Sequence, residues 1–199
     1  DDAILAHLAE REERAAAARP PVLIFGAGHV GVALARCLAL LPLPTRLIDD
    51  RDVPPLPLPQ DIAFTRLDDP EPLIAEAPAG AAFVILTHSH ALDYRLAAAA
   101  LARTDSPYVG MIGSATKRAR FERWFLARGG ARQALDRFIC PIGGKPIRDK
   151  RPEVIAALAT AELLQRLLAC RGAEGARHRP KIRGMSVEGA KLGRHRSAA

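Results

Sequence analysis

Residues 22–31 read Val22-Leu23-Ile24-Phe25-Gly26-Ala27-Gly28-His29-Val30-Gly31, and this stretch decides the fold. Its four-residue apolar run, closed by glycine, has the pattern of a strand buried on both faces of a parallel sheet. A GxGxxG loop follows and opens a helix expected over residues 29–41. In that setting each glycine has a task. Gly26 permits the tight turn, Gly28 lets backbone N–H groups approach an anion, and Gly31 lets the helix pack against the strand, with the helix N-terminus facing the anion. A strand-to-helix turn that binds nothing would use the same glycines. His29 either points into the ligand crevice or sits over the turn.

Upstream, Asp1 and Asp2 lead into an Ala/Leu/Glu/Arg-rich helix over residues 3–18, which Pro20 and Pro21 stop. Downstream, Pro42 and Pro44 break the first crossover, and residues 45–48 read as a second strand ending in Asp49, Asp50 and Arg51. Asp49 lies 18 residues beyond Gly31, where dinucleotide enzymes place a carboxylate for the ribose hydroxyls. Either Asp49 or Asp50 is therefore expected in the crevice, although an Asp-Arg pair also suits an exposed turn. A proline-rich surface loop around residues 54–59 comes next. Further strands are expected at 62–65, 83–86, 108–112 and, beginning at Phe138 and Ile139, a sixth. They alternate with helices at 70–77, 91–103, 114–128 and from Pro152 to about residue 168. Such alternation implies right-handed crossovers and a doubly wound, Rossmann-like α/β domain over residues 20–169, with strand order 3-2-1-4-5. Residues 1–19 are then a helix or linker remnant.

Two further groups belong to the carboxyl edge of such a sheet, where open α/β folds bind ligands. Thr87, His88, His90 and Asp93 follow the fourth strand. Two imidazoles and one carboxylate fall short of a convincing metal set, so no metal ligand is assigned. The histidines could instead donate to a bound ligand, or stand by while Ser89 caps the next helix. Gly113, Ser114 and Lys117 follow the fifth strand and offer backbone donors, a hydroxyl and a cation for a phosphate or polar pterin edge. Ser114 as an N-cap on a solvated basic helix accounts for them equally well.

Composition limits the function classes. The net charge of +7 is concentrated from Arg171 onward, where eight Lys/Arg face two Asp/Glu, leaving the rest of the chain near neutral. Residues 170–199 therefore read as a disordered basic tail without interleaved aromatics, and no nucleic-acid surface is expected. No apolar run is long enough to span a bilayer, and no secretory leader is visible. Cys37, Cys140 and Cys170 are widely spaced and suit a reduced cytoplasm. An Asp rather than Met at position 1 suggests a piece of something longer.

Taken in order, FGAGHVG, LIDDR, ILTHSHALDY, YVGMIGSATKR and PIGGKPIRDKRPEVIAALATAE resemble the C-terminal nucleotide-fold domain of the XdhC/CoxI family, accessory factors of xanthine dehydrogenase and related molybdenum hydroxylases. The resemblance implies a carrier rather than a turnover enzyme. It would bind molybdenum cofactor while a cysteine desulfurase installs the sulfido ligand, then deliver it to a xanthine dehydrogenase-type apoenzyme, as a monomer or a homodimer. Gly26, Gly28, His29, Gly31, Asp49, Asp50, Thr87, His88, Gly113, Ser114 and Lys117 are the candidate binding residues. The chain departs from the family in having little before Pro20 and in placing Gly144 where an apolar residue commonly follows PIG. Two other classes remain open: an NAD(P)-dependent oxidoreductase, which lacks a recognisable Ser/Tyr/Lys set, and a nucleotide-sensing or docking module.

Overall fold

The computed structural model describes residues 20–52, 57–144 and 149–177, together with Ile4 and His7. The helix expected at 3–18 lies outside the described residues except for those two, which are helical. Part of the proline-rich loop and residues 178–199 of the basic tail also lie outside them.

In chain order the elements are β1 (Val22–Phe25), α1 (His29–Ala39), β2 (Thr45–Asp49), β3 (Ala63–Arg66), α2 (Pro72–Glu76), β4 (Ala82–Ile85), α3 (His90–Ala102), β5 (Val109–Met111), α4 (Ala115–Ala127), a 3-10 helix (Arg132–Arg137), β6 (Phe138–Ile139) and α5 (Pro152–Arg177). The strands form one sheet in the order β3-β2-β1-β4-β5-β6. Every pairing is parallel. The five-strand order read from the sequence is present, and β6 extends it beside β5 through Gly110 and Ile139.

Period-two alternation sends successive strand residues into two cores. Val22, Ile24 and Val84 pack with Val32, Leu34 and Leu38 of α1 and with Ala156, Ala159 and Leu163 of α5. Leu23, Phe25, Phe83 and Ile85 pack on the other side with Leu96 and Leu101 of α3 and Phe121 and Phe125 of α4. All residues of β1 and β4 are buried, so these central strands read as continuous apolar runs rather than alternating ones. At about 1.5–3 kcal/mol for each fully buried large side chain, these two cores dominate the local preferences of the loops they anchor. Tyr108 is fully buried, and its hydroxyl donates to Glu162 at 2.7 Å, tying β5 to α5.

α5 runs to Arg177, beyond the expected end near residue 168, so the first part of the expected tail is helix. No proline interrupts the segment after Pro152. Gly172 and Gly175 each cost about 1 kcal/mol relative to alanine, which is insufficient to stop a helix already anchored by its apolar stripe. Gly144 has φ +79°, a left-handed backbone conformation that disfavours L side chains and suits glycine. Among the described residues, no helix is long and apolar enough to cross a membrane.

Candidate functional site

Parallel pairing of β1 with β4 brings the loops after Phe25 and Ile85 to the same carboxyl edge, at the point where the sheet order reverses. The two loops touch. A Cβ on Gly26 (φ +118°) would stand 2.2 Å from the Leu86 carbonyl oxygen, and one on Gly31 would stand 1.9 Å from the Gly26 carbonyl oxygen. These two glycines are fixed by packing and conformation.

Gly28 is different. It is the N-cap of α1, its backbone is extended (φ −70°, ψ −177°), and no side chain caps the helix. A Cβ there would meet nothing within 4 Å. The fold itself therefore does not demand glycine at this position. What glycine keeps clear is the space before the first N–H groups of α1, which have no partners within their own helix. That space suits an anion. His29 is exposed at the same end.

Asp49 does not face this space as a free acceptor. It is buried and accepts hydrogen bonds from the Ala27 backbone N–H, from the Arg51 backbone N–H at 3.0 Å, and from the Arg51 guanidinium at both oxygens, each at 2.8 Å. Burial pushes its carboxyl upward, but hydrogen bonds from Arg51 and Ala27 outweigh that effect and hold it well below the usual carboxylate range. Asp49 thus shapes the glycine loop. The half-buried Asp50 is the more available carboxylate, and it lies 3.6 Å from His88 Nδ1. Because β1 lies between β2 and β4, this pair spans the end of the glycine-loop strand. Asp49, Asp50 and His88 place candidate ligand atoms within 4.8 Å of one another. Asp49's existing hydrogen bonds make it a poor metal ligand, leaving only two favourable donors.

Beneath the loop after β4 lies a buried charge. Asp93, fully buried, accepts from Thr87 N–H at 2.9 Å, Thr87 Oγ1 at 2.8 Å and Lys117 Nζ at 2.5 Å. Lys117 Nζ also donates to the Ile112 carbonyl at 3.0 Å. A lone buried carboxylate would cost several kcal/mol, and these donors compensate it while joining the loops after β4 and β5. Ser89 and Ser114 act as N-caps of α3 and α4, accepting from Leu92 N–H and Lys117 N–H. The capping alternatives are therefore realised at both serines, and Asp93 belongs to the loop brace rather than to a metal set with the histidines.

Above the brace is a cleft of about 410 Å³. Thr87, His88, Gly113, Ser114 and Lys117, all expected at the site, line it. His90, Tyr94, Ile112, Thr116 and Arg120 complete the lining. Tyr94 and Arg120 were not expected from the sequence. Their positions follow from helix geometry, four residues after His90 and three after Lys117. The glycine loop is outside this lining, and the loop after β4 adjoins both, since Gly26 lies against the backbone of Leu86 and Thr87.

Cys140 lies below this loop, 4% exposed, with Sγ 3.9 Å from the Ser114 carbonyl. Burial pushes its thiol up to about 11, against a smaller pull from Lys117 and Arg118. It is a protonated packing group near neutral pH rather than a prepared nucleophile. A larger cleft of about 530 Å³ lies beside α2 and α3. Its Arg95 is paired with Asp69 and Glu71, and its Arg103 with Asp105, so it presents neither the glycine loop nor a free charged pair.

The family model for the XdhC Rossmann domain matches residues 22–163. This chain belongs to the XdhC family. Its XdhC domain is similar in fold to the crystal structure of a xanthine dehydrogenase from Bacillus halodurans, with a TM-score of 0.62 and 24% identity. That similarity covers 77% of this chain and 44% of the Bacillus chain, so the domain spans less than half of that protein. A glycerol-3-phosphate dehydrogenase from Coxiella burnetii gives a TM-score of 0.43 at 17% identity, covering 75% of this chain and 51% of its own. An imine reductase variant from Myxococcus stipitatus, in complex with NAD+, gives 0.40 at 13%, covering 79% and 64%. No curated protein matches the chain significantly in sequence.

Proposed function

We propose that this XdhC domain serves a xanthine dehydrogenase-type enzyme in the cytoplasm as an accessory factor, holding molybdenum cofactor and delivering it to the apoenzyme. The carrying observation is Gly28, where the backbone accepts any residue and the space beyond is open, yet the absence of a side chain leaves the first turn of α1 accessible. An open helix N-terminus of this kind is where a phosphate group binds, and the adjoining cleft would offer hydroxyl, imidazole and aromatic groups to a polar heterocycle. Gly26 and Gly31 keep the loop compact, while the Asp93–Lys117 brace fixes the neighbouring wall. Reversible noncovalent contacts of this kind suit a carrier. Exchange with a cysteine desulfurase would occur with the cargo held at this edge.

The oxidoreductase alternative uses the same glycine loop and relies on a carboxylate at the end of β2. Asp49 already accepts four protein hydrogen bonds, which weakens that reading for this residue. The two readings separate experimentally. Protein purified from a host that makes molybdenum cofactor is expected to carry molybdenum together with a fluorescent pterin after oxidation. Stoichiometric NAD(P) without pterin would overturn the carrier reading.

A further inference from the structure

We infer that Arg120 recognises an anionic group of the ligand in the cleft after β5, and that Lys117, despite its place in the wall, does not. This rests on the crevice being a ligand site, as proposed above, and adds the chemistry that selects the ligand. The cleft wall contains no carboxylate of its own. Its two basic residues, Lys117 and Arg120, have different surroundings. Lys117 is 11% exposed and directs Nζ to the fully buried Asp93 and to the Ile112 carbonyl, so its charge is neutralised within the protein. Arg120 is exposed, lines the cleft, and has no hydrogen-bond or ion-pair partner among the described residues.

The other polar groups strengthen the contrast. Thr87 Oγ1 donates to the Asp93 carboxylate and accepts from Ser89 N–H, while Ser114 Oγ accepts from Lys117 N–H. His88 faces Asp50. A ligand entering the cleft therefore meets Arg120 as its uncommitted cation. The planar, forked guanidinium can hold two phosphate or carboxylate oxygens at once, which a single ammonium cannot match. Tyr94 supplies an aromatic wall in the same cleft. Arg120 thus selects for a phosphate or carboxylate on the ligand, and the heterocycle that carries it comes from the reading proposed above.

The test uses the full chain and three probes: a pterin bearing a side-chain phosphate monoester, the same pterin without phosphate, and inorganic pyrophosphate. The expected result is tighter binding of the phosphorylated pterin by the unaltered protein. Arg120→Gln should reduce that preference about tenfold or more, and Arg120→Lys should restore part of it. The double variant Asp93→Asn, Lys117→Met removes the buried pair that braces the cleft wall, so both pterins should bind more weakly, but if it stays folded by circular dichroism the ratio between phosphorylated and unphosphorylated pterin should be kept. Arg120→Gln lies at an exposed position and provides the decisive comparison even if the double variant unfolds. An unchanged phosphate preference in Arg120→Gln, or no anion binding by the unaltered protein, would overturn the inference. Arg120-dependent binding of pyrophosphate without binding of either pterin would support the anion role while defeating the pterin-carrier reading.

Discussion

Gly28 and Gly31 lie three positions apart in one motif but have opposite surroundings. At Gly31 a methyl group would overlap the Gly26 carbonyl at 1.9 Å, whereas at Gly28 it would enter open space. Gly31→Ala should therefore destabilise the domain by about 3 kcal/mol in urea unfolding, near the upper end of ordinary overpacking costs. Gly28→Val should cost no more than about 1 kcal/mol, the scale of a poorer N-cap, yet abolish cofactor binding in fluorescence titration. Equal binding by the Gly28 variant would make this loop purely structural. Asp49 gives a pH test. Its folded-state carboxyl is held below its ordinary value, so its stabilising contribution is present above the unfolded pKa and disappears as pH falls through the lower folded value. Asp49→Asn should lose about 2 kcal/mol at pH 7, with the difference narrowing below about pH 4 in equilibrium unfolding. A difference independent of pH would assign the loss to packing rather than charge.

At the scale of elements, the sheet was legible because its strands are short apolar runs separated by helices and breakers. Val22–Phe25 and Ala82–Ile85 are buried throughout, so the local sequence and the sheet topology demand the same residues. The end of α5 was less legible, since Gly172 and Gly175 weaken a helix without terminating it. At the candidate site, loop positions were readable from the glycine and serine motifs, but hydrogen-bond partners were not. Asp49 has the spacing of a ribose acceptor, yet Arg51 and Ala27 use its oxygens. Lys117 stands in the expected loop, but the sequence does not show that the fold brings the buried Asp93 beside its Nζ. Tyr94 and Arg120 belong to different helices, and their common cleft arises from the packing of α3 and α4 rather than from a contiguous motif.

For the whole molecule, holding a cofactor and delivering it impose opposing requirements. Ligand binding stabilises the carrier with the logarithm of ligand concentration over dissociation constant, so transfer proceeds only when the acceptor provides a more favourable state for the cargo. Under the carrier reading proposed above, the glycine loop and the cleft, which lie on one sheet edge, would hold the cargo by noncovalent contacts alone. The domain also spans less than half of the Bacillus protein whose fold it shares, so a longer XdhC protein is the necessary comparison for delivery. Cofactor-loaded domain mixed with apo-xanthine dehydrogenase, with the sulfido ligand already installed, is expected to produce urate from xanthine faster than an equal amount of free cofactor. His88→Ala should lower that rate severalfold while changing stability by no more than about 0.5 kcal/mol, since its side chain is half exposed and its contact with Asp50 is at the surface of the crevice. Rates no faster than free cofactor for both the domain and the longer protein would refute delivery. Activation by the longer protein alone would place the release step outside this domain while leaving cofactor binding to be judged by the molybdenum and pterin it carries.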